Sequence, residues 1–284
     1  YFSTYHWKPI IHGYVSYPPL LTKILRRAAS EFPSEMSLQV FDRVGVDTVV
    51  VHRDRPGAEA MDAGIADVVA RGRLSLLARF LGESLREGVN RGQDVYRIRP
   101  ASPWAAAPLP SGNPIPNRSW YYRAKEGDAA LAADGDPDTA WSVPRPLHGD
   151  EFWEVTFGGA SLELDSLVLP LGRNSAFPTR FRVAGRNPDG SWTELARFDD
   201  AHTLQVVDQL LIHPGRARLG FDLGGRAAMG VSLLVSQGAT SYDGWRLEEV
   251  EILTRRQRLT SPPRKRPRAS AKSPGRSGRR RGRR

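Results

Sequence analysis

The chain has 284 residues, 25% of them charged and 40% apolar, enough for one large or two ordinary domains. It contains no Cys, which excludes disulfides, thiolate metal sites and a Cys nucleophile. The formal net charge of +10 is an average over two unlike parts: residues 255–284 carry 12 Arg and 2 Lys with no acid, leaving 27 basic and 31 acidic groups in the rest, so a body of charge −4 bears a tail of +14.

The chain opens on "YFSTYHWKPIIHGYVSYPP", dense in aromatic and polar side chains that are costly to bury without partners. Pro18-Pro19 predicts the start of a helix with Leu21, Ile24, Leu25, Ala28 and Phe32 on one stripe. Ser34 is placed to cap a second helix, with Met36, Val40, Phe41 and Val44 inward and Gly45 as its stop. "DTVVVHRD" (47–54) is a continuous β-branched run and reads as a buried strand. Met61, Ile65, Val68 and Val69 then recur at helical spacing, and "LSLLARFLGE" (74–83) fits strand or helix equally. "QDVYRIRP" (93–100) alternates and suits a strand near an edge. Residues 1–100 therefore read as a small α/β unit.

Residues 101–118 hold five Pro and read as a linker. From 119 to 254 the period is two: Trp153, Val155 and Phe157 share a face, as do Leu167, Leu169 and Leu171, Phe181 and Val183, and Leu219, Phe221 and Leu223. "NPDG" (187–190) is a hairpin turn, with Pro setting φ and Gly tolerating a positive value. "WRLEEVEIL" (245–253) reads as the last strand. Short strands between Gly, Pro and Asp turns predict an antiparallel β-sandwich or jelly roll, making the protein α+β overall. Residues 255–284 have almost nothing to bury and read as disordered.

The loop Asp134-Gly135-Asp136-Pro137-Asp138-Thr139 gathers carboxylates and carbonyls on a tight turn. That chemistry suits a hard cation such as Ca²⁺, and equally an Asx turn closed by its own side chains. For a sugar surface, which needs aromatic faces beside planar hydrogen-bonding groups, the candidates in loops are Trp120, Tyr121, Arg145, His148, Arg173, Asn174 and Tyr242. Trp141 and Trp245 read as core. Ser3, His6, His12, Asp42 and Asp47 form no nucleophile elbow or metal-ligand spacing, which argues against a hydrolase. Fourteen cations in the last thirty residues, with no interleaved aromatic, suit salt-dependent binding to anionic lipid or another polyanion without base readout.

Two stretches resemble known families. "ALAADGDPDTAW" (130–141), "DEFWEVTFG" (150–158), "FRVAGRNPDGSWTELARF" (181–198) and the closing "RLEEVEIL" resemble the discoidin, or coagulation-factor type C, domain. That resemblance implies an eight-stranded antiparallel jelly roll whose loops at one end bind carbohydrates, lipid head groups or proteins. In its carbohydrate-binding members it implies a structural Ca²⁺, held here by Asp134, Asp136, Thr139 and a Glu on the last strand, Glu249. "STYHWKPIIHGYVSYPP" with "VFDRVGVDTVVVHRD" resembles the stretch after the last membrane helix of bacterial polytopic glycosyltransferases that use polyprenyl-phosphate sugars, with His12 where Asn is usual. It implies a non-catalytic extracytoplasmic region, tethered to a membrane domain of the same parent chain, that binds carbohydrate or glycolipid. The alternatives are a stand-alone cell-surface glycan-binding or adhesion protein and, third, a polyanion binder acting through its tail.

Overall fold

The computed structural model describes residues 20–53, 58–81, 92–101, 111–115, 120–143, 146–172, 175–236 and 244–254. The opening segment and the Arg-rich tail lie outside the described residues.

The first unit packs three helices on one face of a three-stranded antiparallel sheet. Helix α1 (Leu20–Ser30) buries Leu25 and Ala28 of its predicted stripe, with Phe32 buried just beyond its end. Helix α2 (Glu35–Val44) buries Val40 and Phe41 as predicted and Leu38 in addition, while Leu21, Ile24, Met36 and Val44 are partly buried. Ser34 caps α2 by accepting from the Ser37 N–H, and Gly45, at φ 79°, ends it by donating to the carbonyls of Phe41 and Asp42. Helix α3 (Ala58–Ala70) buries Ile65 and Val68, whereas Val69, read as inward, stays exposed. The strands are β1 (Thr48–His52), β2 (Leu74–Phe80) and β3 (Gln93–Ile98), in the order β1-β3-β2. Two readings change. The ambiguous 74–83 segment is a strand, and β3 is central rather than at an edge. The run in β1 is not buried on both faces: Val51 is buried and Val50 exposed, because among the described residues the helices pack on the Val51 side of the sheet.

A buried acid holds the middle of this sheet. Asp94 is 1% exposed and accepts from Arg79 (2.7 and 3.0 Å), Arg53 (2.9 and 2.6 Å) and the Tyr96 hydroxyl (3.2 Å). The Arg79 hydrogen bond, with burial opposing it and Arg53 adding to it, holds the carboxyl at about 2, below its ordinary 3.8.

The second unit is the predicted antiparallel sandwich. Its strands are β4 (Asn113–Pro114), β5 (Tyr121–Ala124), β6 (Trp141–Val143), β7 (Phe152–Thr156), β8 (Leu162–Pro170), β9 (Phe181–Arg186), β10 (Trp192–Phe198), β11 (Arg218–Ala228), β12 (Gly230–Val235), β13 (Trp245–Leu247) and β14 (Glu251–Thr254). One sheet runs β10-β9-β12-β7-β5, the other β11-β8-β14-β4, and β13 pairs with β6. The residues placed inward by period two form its core: Trp153, Val155, Phe181, Val183, Leu219 and Phe221 are fully buried. Trp141 and Trp245 meet edge to face at 5.0 Å inside it. The "NPDG" turn joins β9 to β10, with Gly190 at φ 86° and its N–H donating to Asn187.

Three features depart from the sequence reading. Within the Pro-rich stretch, β4 pairs with β14, and the Ile115 N–H donates to Ile252. The closing segment is two strands in different sheets, broken at 248–250. Residues 119–254 are also not all β, since helix α4 (Asp200–Ile212) stands between β10 and β11. Asp199 caps it by accepting from the His202 N–H. Its Val206 belongs to the sandwich core and its Val207 to the core of the α/β unit. In return, Leu20 of α1 reaches the sandwich core. Arg43 of α2 donates to Asp208 of α4 at 2.8 Å, with both side chains largely buried. Burial, outweighing Arg43, raises the Asp208 carboxyl above its ordinary value.

Removing Arg43 strands a buried carboxylate, so Arg43→Ala is expected to cost about 3 kcal/mol in urea unfolding at pH 7. Adding Asp208→Asn to that variant should recover most of the loss. Because Asp94 is depressed, its contribution is complete above pH 3.8 and is lost as pH falls through about 2. An Asp94→Asn variant is expected to show a flatter acid-unfolding profile between these values than the wild type.

Candidate functional site

The strand registers divide the sandwich into two ends. Phe152 begins β7 opposite Leu234, near the close of β12, and the Val235 N–H donates to Glu151. Pro170 closes β8 opposite Arg218, where β11 begins. The segments 125–140, 146–151, 171–172 with 175–180, and 248–250 therefore gather at one end, the loop end, with α4. The opposite end carries Tyr121 beside Thr156, Gly230 beside Thr156, and Trp192 beside Arg186.

This division separates the predicted sugar contacts. His148 is exposed at the loop end. Arg145, Arg173, Asn174 and Tyr242 lie outside the described residues, but their described neighbours Val143 and Pro146, Gly172 and Ser175, and Ser236 and Gly244 border that end. Trp120 and Tyr121 are at the other end and cannot join them. Trp120 packs on the core, 5.4 Å from the Phe157 ring and 6.3 Å from Tyr122, so it is no free platform. Tyr121 is 71% exposed but alternates away from the core on the outer sheet face.

Buried groups pin the loop end from below. The Glu151 side chain is 1% exposed and accepts from the backbone N–H groups of His148 (2.6 Å) and Gly149 (2.9 Å). Burial opposes its ionisation, yet these N–H groups and Lys125 prevail and lower its pKa. Lys125 also pairs with Asp150 across the same turn. At the next loop, the Gly172 N–H donates to Ser175 Oγ at 2.9 Å, and a Cβ at Gly172 would fall 1.3 Å from Glu248 Oε2. A larger residue at 172 would displace that carboxylate. The indole N–H of Trp141 donates to the Glu126 carbonyl (2.7 Å) and that of Trp153 to the Ala129 carbonyl (2.8 Å), tying the root of the acidic loop to the core. Neither Glu151 nor Glu248 stands out in the sequence; for Glu151 the available signal is an acid after a Gly-Asp turn directly before a strand, and Glu248 has no such signal.

The acidic loop is closed by successive Asx turns, Asp134 accepting from the Asp136 N–H and Asp136 from the Asp138 N–H, each at 2.9 Å. Thr139 Oγ1 lies 2.8 and 3.0 Å from the two Asp134 carboxylate oxygens, 3.0 Å from the Asp136 carbonyl and 3.3 Å from the Leu131 carbonyl. A hydroxyl has one proton, so most of these contacts are oxygen against oxygen. Glu249 accepts from the Gly135 N–H at 3.2 Å, and burial, then the charges of Asp134 and Glu251, push its carboxyl up. Glu249 lies between β13 and β14 rather than on the last strand. The Asp136 carboxylate is turned to its own loop, so Asp136 faces the nest with its carbonyl, which alters its expected role. Among the described residues no three His, Asp or Glu side chains group as a metal site. The nest consists of two carboxylates, two carbonyls and a hydroxyl.

Of the residues set aside as a hydrolase set, Asp42 bonds Arg73 at 2.7 Å and Asp47 bonds Thr48 at 2.8 Å, both as local structural contacts. A cleft of ≈ 690 Å³ at the junction of the units is lined by Arg27, Arg180, Arg197, Asp199 and Asp200 among others, and includes none of the predicted sugar contacts.

No protein-family model and no curated protein matches the chain. Solved structures that resemble it include carbohydrate-binding modules of family 32. One is CpGH89CBM32-5 from Clostridium perfringens, in complex with GalNAc-β-1,3-galactose, at 14% identity, with 50% of this chain and 100% of that one covered and a TM-score of 0.38. Another is the family 32 module of C. perfringens NanJ, in complex with galactose, at 15% identity, 49% and 96% coverage and a TM-score of 0.36. A third is the C-terminal domain of a chitobiase from Bacteroides fragilis, at 14% identity, 49% and 96% coverage and a TM-score of 0.37.

Glu151→Ala removes the acceptor for two backbone N–H groups and is expected to cost about 1–3 kcal/mol in urea unfolding. Hydrogen exchange should show His148 and Gly149 amides losing protection while the β7 amides keep theirs.

Proposed function

We propose that the sandwich is a carbohydrate-binding module whose ligand seats on the loop end, and that the chain is the extracytoplasmic, non-catalytic C-terminal region of a membrane glycosyltransferase. The observation that carries the binding reading is the Glu151 anchor. A buried carboxylate fixes the 148–149 backbone while leaving the His148 imidazole exposed, which is the pre-organised polar contact that sugar recognition requires. Arg145, Arg173, Asn174 and Tyr242 are the proposed partners of His148, supplying planar donors and an aromatic face. The parent enzyme rests on the resemblance of residues 1–100, and it sets the proposed location at the outer face of a bacterial membrane. The Arg-rich 255–284 segment would add attraction to anionic lipid or acidic polymer, with no preference among nucleic-acid sequences.

A structural Ca²⁺ belongs to this reading. Asp134, Thr139, Glu249 and the carbonyls of Leu131 and Asp136 are the residues that would hold it, and the crowded oxygens around Thr139 Oγ1 together with the raised Glu249 carboxyl fit a hard cation. The ion would cross-link the acidic loop to residues 248–250. Since Glu249 must ionise to bind it, affinity should rise with pH above the ordinary carboxylate range.

Titration of the full chain with a panel of neutral mono- and disaccharides, galactose and GalNAc included, is expected to show binding that His148→Ala weakens about tenfold with an unchanged melt. Absence of binding across the panel would sink the loop-end reading. Millimolar Ca²⁺ is expected to raise the melting temperature and EDTA to reverse it, with Asp134→Asn abolishing the response; a melt indifferent to both would remove the metal.

A further inference from the structure

The outer face of the five-stranded sheet carries chemistry that the loop end does not use. Tyr121 pairs with Thr156 and Thr156 with Gly230, while Trp192 pairs with Arg186. Val231 pairs with Gly185, which places Arg186 in the same cross-strand row as Gly230. Tyr121 and Trp192 thus stand on the two edge strands of one row, four strand spacings or roughly 19 Å apart. They are 71% and 39% exposed. Between them the row holds Arg186 and then the small residues Gly230 and Thr156.

In and beside this row lie four arginines and two glutamates. Arg123 sits 5.0 Å over the Phe152 ring and 3.8 Å from Glu154. Arg182 and Arg197 share Glu194 at 4.0 and 2.9 Å. Arg186 makes no close ion pair among the described residues, and its charge acts on Glu154 from a distance. This face therefore carries two more cations than anions, although the body of the chain is net acidic.

We propose that this face is a second binding site, for an extended acidic polysaccharide such as a polyuronate. Tyr121 and Trp192 are its stacking platforms at the two edges. Arg182, Arg186 and Arg197 pair with the carboxylates along the chain. A small neutral sugar spans neither the distance between the rings nor the charge, so the two ends of the sandwich would take different ligands. The site is independent of the loop-end reading and of the Arg-rich tail.

The test is binding of the full chain to polygalacturonate, against a neutral polymer of similar length. Wild type should bind the acidic polymer and release it as salt rises. Trp192→Ala and the double variant Arg182→Ala/Arg186→Ala should each weaken binding roughly tenfold, from the loss of a stacking platform or of charge-assisted contacts. All three positions are solvent-facing, so the thermal melt should not move, and Trp192→Phe should restore binding. Neutral-sugar binding at the loop end should be unaffected by these variants, and His148→Ala should leave polygalacturonate binding intact. Unchanged affinity in the sheet variants would assign the attraction to the basic tail and overturn the proposal, as would no binding by wild type or equal binding of the neutral polymer.

Discussion

The architecture turns on one helix that belongs to two cores. Helix α4 interrupts the sandwich between β10 and β11, and its adjacent residues Val206 and Val207 are buried in two different cores, at 2% and 0% exposure. Consecutive residues on a helix project about 100° apart, so one helix wedged between two layers serves both at once. Leu20 and the Arg43–Asp208 pair complete the junction. The α/β unit is thereby fixed against the loop end of the sandwich, although the chain between the two units is rich in Pro.

The pairing of Arg43 with Asp208 is a different kind of contact from those two valines. A buried ion pair gains little over an apolar contact of the same volume, because desolvation offsets the Coulomb attraction. The raised Asp208 carboxyl records that balance, with burial the larger effect. What such a pair supplies is discrimination: a helix docked in another register leaves a charge without its partner. The Asp94 cluster in the three-stranded sheet has the opposite balance, since two guanidinium groups and a hydroxyl converge on one carboxylate and hold it ionised.

At the loop end the same device recurs on backbone groups. Glu151 and Glu248 are carboxylates placed under turns, one accepting two N–H groups and the other resting against the Cα of Gly172. Rigid strands thus carry loops that are held from beneath, the arrangement that lowers the ordering cost of binding. The outer sheet face offers a second surface of a different character, flat and arginine-bearing. A single sandwich thereby presents two chemically distinct surfaces to its surroundings.

Much of this was legible in the sequence, and for local reasons. Ser34 and Gly45 bracket α2 because capping and a left-handed stop are properties of single residues. Period two identified the inward faces of β7, β9 and β11 because alternation follows from the pleat itself. "NPDG" made its turn with no help from elsewhere. What the sequence did not disclose were matters of partnership. That β3 is central, that β1 is covered on one face only, and that Asn113–Pro114 pairs with the final strand depend on which elements meet across the fold. Helix α4 was concealed because its two burial directions blur the single apolar stripe by which an amphipathic helix is recognised. The candidate sugar contacts divided for the same reason: Trp120, Tyr121 and His148 are alike as loop aromatics and polar groups along the chain, and only strand direction assigns them to opposite ends of the sandwich. Residue chemistry and spacing determined what each segment could form, whereas long-range pairing decided which side chains share a surface.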